Sequence, residues 1–76
     1  MGRPYYGLFS PCFGTVAAFH VEQGARVAAD EAVAEIEIMK MFTSITACAA
    51  GEIEWVVSLG MTVNEGDLLA KIYPSP

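Results

Sequence analysis

The sequence predicts an all-β protein, built as two packed antiparallel sheets or a flattened barrel with an internal pseudo-twofold repeat. Three observations carry that prediction. First, sliding the 76-residue chain against itself by 36 positions superimposes Gly24 on Gly60, Val27 on Val63, Val33 on Leu69, Ala34 on Ala70 and Ile36 on Ile72. A shift of 37 extends the match upstream, pairing Ser10 with Ala47, Gly14 with Gly51 and Val16 with Ile53, so the first half holds one extra residue between Gly14 and Gly24. Second, each copy consists of short runs rich in Val, Ile and aromatic residues, with no helical periodicity. Third, glycines stand at the ends of these runs, where turns need positive φ.

The elements follow in order. Residues 5–10 read as an entering strand containing Tyr5 and Tyr6, and residues 14–21 as a second strand. Residues 33–38 form a third run, in which Glu35, Ile36, Glu37 and Ile38 alternate polar and apolar. On the return strand, residues 42–47, Thr43, Ile45 and Ala47 share a face. Residues 51–58 and 68–73 then repeat the second and third runs. Asp30 stands where the repeat places Gly66, and Asp is among the few residues that tolerate the left-handed region. Neither copy can bury its apolar face alone, so the two must pack on each other.

Composition narrows the function. The chain is read as one domain, residues 1–76 with a core at about 8–73, and a domain of this size buries only about 60% of its unfolded surface. Hydrophobic residues make up 54% and charged residues 17%, the balance of a globular chain. The formal net charge is −5, and the only basic residues, Arg3, Arg26, Lys40 and Lys71, form no cluster of the kind that binds nucleic acid. Cys12 and Cys48 lack the close spacing of zinc or dithiol motifs and read as small buried or half-buried apolar residues. No apolar run is long enough for a membrane span, and the first ten residues resemble neither a secretory signal nor a myristoylation motif. A reducing, soluble compartment is expected.

Lys40 is the candidate functional residue. It lies between Met39 and Met41 at the joint of the two copies, and the repeat predicts a hairpin with Met39 and Lys40 at its tip. Tight hairpins favour Asn-Gly or Gly-containing turns, so Met-Lys breaks a local rule, as functional sites often do. In a pseudo-twofold arrangement the joint lies at one pole and both chain ends at the other.

The segments EIMKMF, SPCFGTV, GARV and ITACAAGEIEWVVSLGMTVNEGDLLAKI together resemble the biotinyl domain of biotin carboxyl carrier proteins and biotin-dependent carboxylases, over about residues 8–73. The resemblance implies a flattened barrel of two four-stranded sheets. It implies covalent biotin on Lys40, attached by a biotin protein ligase, with Met39 and Met41 framing the site; Glu37 reads either as an aid to ligase recognition or as a solvated strand residue. By the same resemblance the chain is a non-catalytic carrier. Its biotin would shuttle a carboxyl group between biotin carboxylase and carboxyltransferase components of a carboxylase, decarboxylase or transcarboxylase. The location implied is cytoplasmic, or the mitochondrial matrix for a eukaryotic carboxylase.

Three departures from the family pattern stand out. Ile38 occupies a position that is commonly Ala, Cys12 one that is often Met, and the short stretch between Phe19 and Gly24 leaves no room for a thumb insertion. Related lipoyl domains usually flank their lysine with Asp and Ala or Val; a lipoyl-type acyl carrier and an unmodified interaction module are the competing readings. His20 and Trp55 read as packed or half-exposed strand residues, and a lone His offers no metal site. Glu52, Glu54, Glu65 and Asp67 read as solvated surface, with docking to a basic partner as the alternative.

Overall fold

Alternating β-branched residues and positive-φ turns produce eight strands among residues 2–74, the part of the chain that the computed structural model describes. Met1, Ser75 and Pro76 lie outside it. The strands are β1 (Tyr6–Phe9), β2 (Gly14–Phe19), β3 (Arg26–Val27), β4 (Ala32–Ile38), β5 (Met41–Thr46), β6 (Gly51–Trp55), β7 (Thr62–Val63) and β8 (Leu68–Tyr73). They form two four-stranded antiparallel sheets, ordered β1-β8-β6-β3 and β5-β4-β2-β7. No helix among the described residues is long and apolar enough to cross a membrane.

The repeat is visible in the registers. Tyr6 faces Ile72 as Thr43 faces Ile36, Glu52 faces Tyr73 as Thr15 faces Glu37, and Val27 faces Gly51 as Val63 faces Gly14. Turn bonds repeat as well: Ala47 N–H donates to the Glu31 carbonyl as Ser10 N–H donates to that of Asp67, both at 2.8 Å. Asp30, at φ 69°, matches Gly66 at φ 89°. Aspartate takes the left-handed conformation that its glycine mate adopts without a Cβ penalty.

The extra residue of the first copy is a β-bulge. In β2 the register steps from Val16 opposite Ile36 to Ala18 opposite Glu35, leaving Ala17 unpaired, whereas β6 runs against β8 without a break. The bulge puts Phe19 opposite Ala34, the position equivalent to Trp55 opposite Ala70. The two rings then stack on one another, with centroids 4.4 Å apart.

The sandwich interior is filled by equivalent pairs: Val16 with Ile53, Ile36 with Ile72, Val27 with Val63, and Val33 with Leu69, all buried. Dry packing of these side chains is the main stabilising term. Strands β2 and β6 end earlier than the sequence predicts, at Phe19 and Trp55. After each, one further residue bonds to the neighbouring strand, His20 to Val33 and Val56 to Leu69, before the chain turns toward Gly24 or Gly60. The two-residue strands β3 and β7 were too short to show a period of their own.

The same symmetry sets the poles. Gly14 lies against β4, where a Cβ would come 2.7 Å from the Glu37 carbonyl oxygen, beside the β4–β5 turn. Its mate Gly51 lies against Tyr73, beside the chain ends. Following β5 away from the turn leads to Ala47, which bonds to Asp30 and Glu31, and so to β3 and Gly51. The β4–β5 turn and the paired start of β1 and end of β8 therefore occupy opposite poles of a body 40 Å long.

Candidate functional site

Strands β4 and β5 pair continuously from Ala34 opposite Ile45 to Ile38 opposite Met41, leaving two residues, Met39 and Lys40, to reverse the chain. Both have positive φ, 48° and 68°, the signature of a type I′ turn. That turn matches the twist of the flanking strands, but holding an L-residue in the left-handed region costs roughly 1–2 kcal/mol. The β4–β5 ladder and the close seat of Gly14 beneath the turn hold the conformation.

The turn lifts its side chains into solvent. Met39 is 91% exposed and Met41 74%, and Lys40, Phe42 and Phe13 are exposed as well. No hydrogen bond or ion pair engages Lys40 among the described residues. Glu37 is half-buried on β4, directly opposite Phe42. The structure thus brings Lys40, Met39 and Met41 together at one tip and puts Glu37 one strand position below it.

Lys71 is placed differently. It lies half-buried on β8, with Nζ 5.0 Å from the centre of the Tyr5 ring. Around it Arg3 pairs with Glu52 at 3.5 Å and covers the Tyr73 ring, which meets Tyr5 edge-on. The Tyr73 hydroxyl donates to Glu54 Oε1 at 2.8 Å, and this bond, which needs the protonated phenol, pushes the Tyr73 pKa above its ordinary value. Glu52 and Glu54 are therefore engaged at the pole of the chain ends, a cluster the sequence did not foreshadow because its members lie far apart in the chain.

His20 is exposed and lies 2.7 Å from Glu35 Oε2. Trp55 is buried: its N–H donates to Gln23 Oε1, the Gln23 amide donates to the Trp55 carbonyl, and the indole N–H reaches the Val21 carbonyl. Between the 19–23 and 55–59 segments runs an open groove of about 880 Å³. Cys12 and Cys48 are both free thiols; Cys12 is half-buried against the core as expected, but Cys48 is exposed, because it follows β5 into a surface turn and not into the sandwich interior. No group of three His, Cys, Asp or Glu side chains able to hold a metal occurs among the described residues.

Two four-stranded antiparallel sheets related by an internal repeat are the fold of the biotinyl/lipoyl domains. The chain belongs to the family described as biotin-requiring enzyme, whose model matches residues 8–72. It is 42% identical over 66 residues to the mitochondrial propionyl-CoA carboxylase alpha chain of Mus musculus, covering 86% of this chain and 9% of that protein. With acetyl-CoA carboxylase 2 of Oryza sativa subsp. japonica it is 40% identical over 63 residues, covering 83% and 3%. The chain spans less than a tenth of the length of these curated relatives.

Solved structures agree. The urea carboxylase of Kluyveromyces lactis superposes with a TM-score of 0.84 at 27% identity, over 95% of this chain and 6% of that one. The lipoyl domain of the 2-oxoglutarate dehydrogenase complex from Azotobacter vinelandii superposes with a TM-score of 0.69 at 38% identity, over 86% and 84%.

Proposed function

We propose that this chain is a biotin carrier in which Lys40 is the attachment point, and that it serves a biotin-dependent carboxylase or a related decarboxylase or transcarboxylase. The observation that carries this reading is the tip itself: a lysine with no partner among the described residues, on a two-residue turn, flanked by two exposed methionines, in a chain of the biotin-requiring family. The carboxylase relatives support it. The methionines separate it from the lipoyl alternative, whose lysine usually follows Asp.

The residues at the tip fit a covalently held acyl group. Lys40 presents a primary amine on an exposed left-handed turn. A biotin protein ligase must supply an activated carboxyl group and take up the proton that the amine gives up. An N–C bond then forms, the activating group leaves, and the amine proton passes to the ligase or to water. The resulting amide removes the charge and resists hydrolysis. Met39 and Met41 offer adaptable apolar surface for docking, and Glu37 offers a carboxylate just below.

Bound biotin would supply the carboxyl-carrying ring, moved between biotin carboxylase and carboxyltransferase sites. The chain contributes reach and a fixed point, raising the effective concentration of the ring at each partner without acid, base or metal of its own. We take residues 8–73 as the folded carrier unit, located with its partners in the cytoplasm or the mitochondrial matrix.

The test is Lys40→Arg in cells expressing a biotin ligase. The variant keeps the fold and loses streptavidin recognition. Retained recognition would overturn the assignment, and loss of folding would make Lys40 a structural residue.

A further inference from the structure

We propose that Met39 and Met41 are a methionine-oxidation site, and that their sulfoxide forms block modification of Lys40. The proposal rests on reading Lys40 as the attachment point. Four methionines occur in the sequence, and Met1 lies outside the described residues. Met61 is 45% exposed, and its Sδ accepts the Ser58 N–H at 3.1 Å, which occupies a sulfur lone pair. Met39 and Met41 are far more open, at 91% and 74%. An attacking peroxide reaches their sulfurs without any opening of the fold.

The chemistry is a two-electron oxygen transfer. Hydrogen peroxide gives one oxygen atom to the thioether: the O–O bond breaks, an S–O bond forms, sulfur is oxidised and the peroxide leaves as water. A methionine sulfoxide reductase, with a thiol as reductant, reverses the step. Neither side chain contributes to the buried core, so oxidation at the tip leaves the fold intact. What changes is the docking surface. Two apolar flanks become strong hydrogen-bond acceptors, and a partner cleft shaped for thioethers must bury them unpaired.

The experiment treats the chain with limiting hydrogen peroxide, removes the oxidant, maps sulfoxides by peptide mass spectrometry, and measures the rate of biotin labelling by a ligase. Sulfoxide is expected on Met39 and Met41 before Met61. Labelling should fall at least about tenfold, toward the lower end of what burying an unpaired polar group imposes, and return after sulfoxide reductase treatment. The Met39→Leu/Met41→Leu variant, whatever its starting rate, should lose no further labelling with peroxide, while Met61→Leu should stay sensitive. That comparison also separates the methionines from Cys12 and Cys48.

Oxidation of Met61 first, undiminished labelling of the fully oxidised tip, or equal peroxide sensitivity in the double Leu variant would each overturn the proposal alone. Failure of the unoxidised chain to be labelled on Lys40 would overturn the carrier reading and this coupling together.

Discussion

At the scale of single residues, two lysines in one small domain meet opposite fates because of where the sheets place them. Lys71 lies over an aromatic ring on a strand face, and Lys40 stands on an exposed turn with no partner among the described residues. Lys40 was legible in the sequence through its methionine neighbours and its position at the joint of the repeat. Tyr73 was not, since nothing near it in the chain announces Glu54 or Arg3. Its raised pKa gives a test with a definite sign. The bond to Glu54 exists while the phenol is protonated, so its contribution is complete below the ordinary tyrosine pKa and disappears as pH rises through the elevated folded value. In an ultraviolet titration of tyrosinate, Glu54→Gln should move the Tyr73 step to lower pH; an unmoved step would show that another group sets it.

At the scale of elements, the β4–β5 turn holds two L-residues in the left-handed region where most hairpins would use Asn-Gly. The sequence showed the mismatch but not how the chain resolves it: the turn keeps the left-handed geometry and the residues accept it. Met39→Gly is therefore expected to stabilise the fold by about 0.5–1 kcal/mol in urea unfolding, the relief of the left-handed cost less the chain entropy that glycine adds. It should slow ligase labelling of Lys40 in the same protein. A destabilised variant would mean that Met39 packs in a way its exposure denies.

The bulge in β2 makes a second element-scale prediction. The repeat revealed an extra residue, and only the register identified it as Ala17. Deleting Ala17 would leave Val16, Ala18 and Phe19 opposite Ile36, Glu35 and Ala34, the unbroken register that Ile53, Glu54 and Trp55 keep against β8, so Phe19 stays stacked on Trp55. Tryptophan emission should stay where it is and urea unfolding should remain cooperative. A red-shifted emission would show that the bulge itself, and not the register beyond it, holds Phe19 on Trp55.

At the scale of the whole molecule, the internal twofold decides where everything sits. Core pairs related by the repeat carry equivalent loads, so Ile36→Ala and Ile72→Ala should each cost about 2–5 kcal/mol by denaturant unfolding. A cost confined to one half would contradict equivalent packing. The fold was legible because duplication wrote the same pattern twice, letting each copy confirm the strands and turns of the other. The groove beside Trp55 and the cluster around Tyr73 were not, because both arise from side chains that meet only when the two sheets have formed. The twofold also sends the start of β1 and the end of β8 to one pole and Lys40 to the other.

The central claim is that this pole carries the cofactor, and peptide mapping tests it most directly. The chain would be incubated with biotin, ATP and a biotin protein ligase, then digested and sequenced by mass spectrometry. A single biotinyl amide on Lys40, with Lys71 unmodified, is the predicted result; modification of Lys71, or of neither lysine, would contradict it.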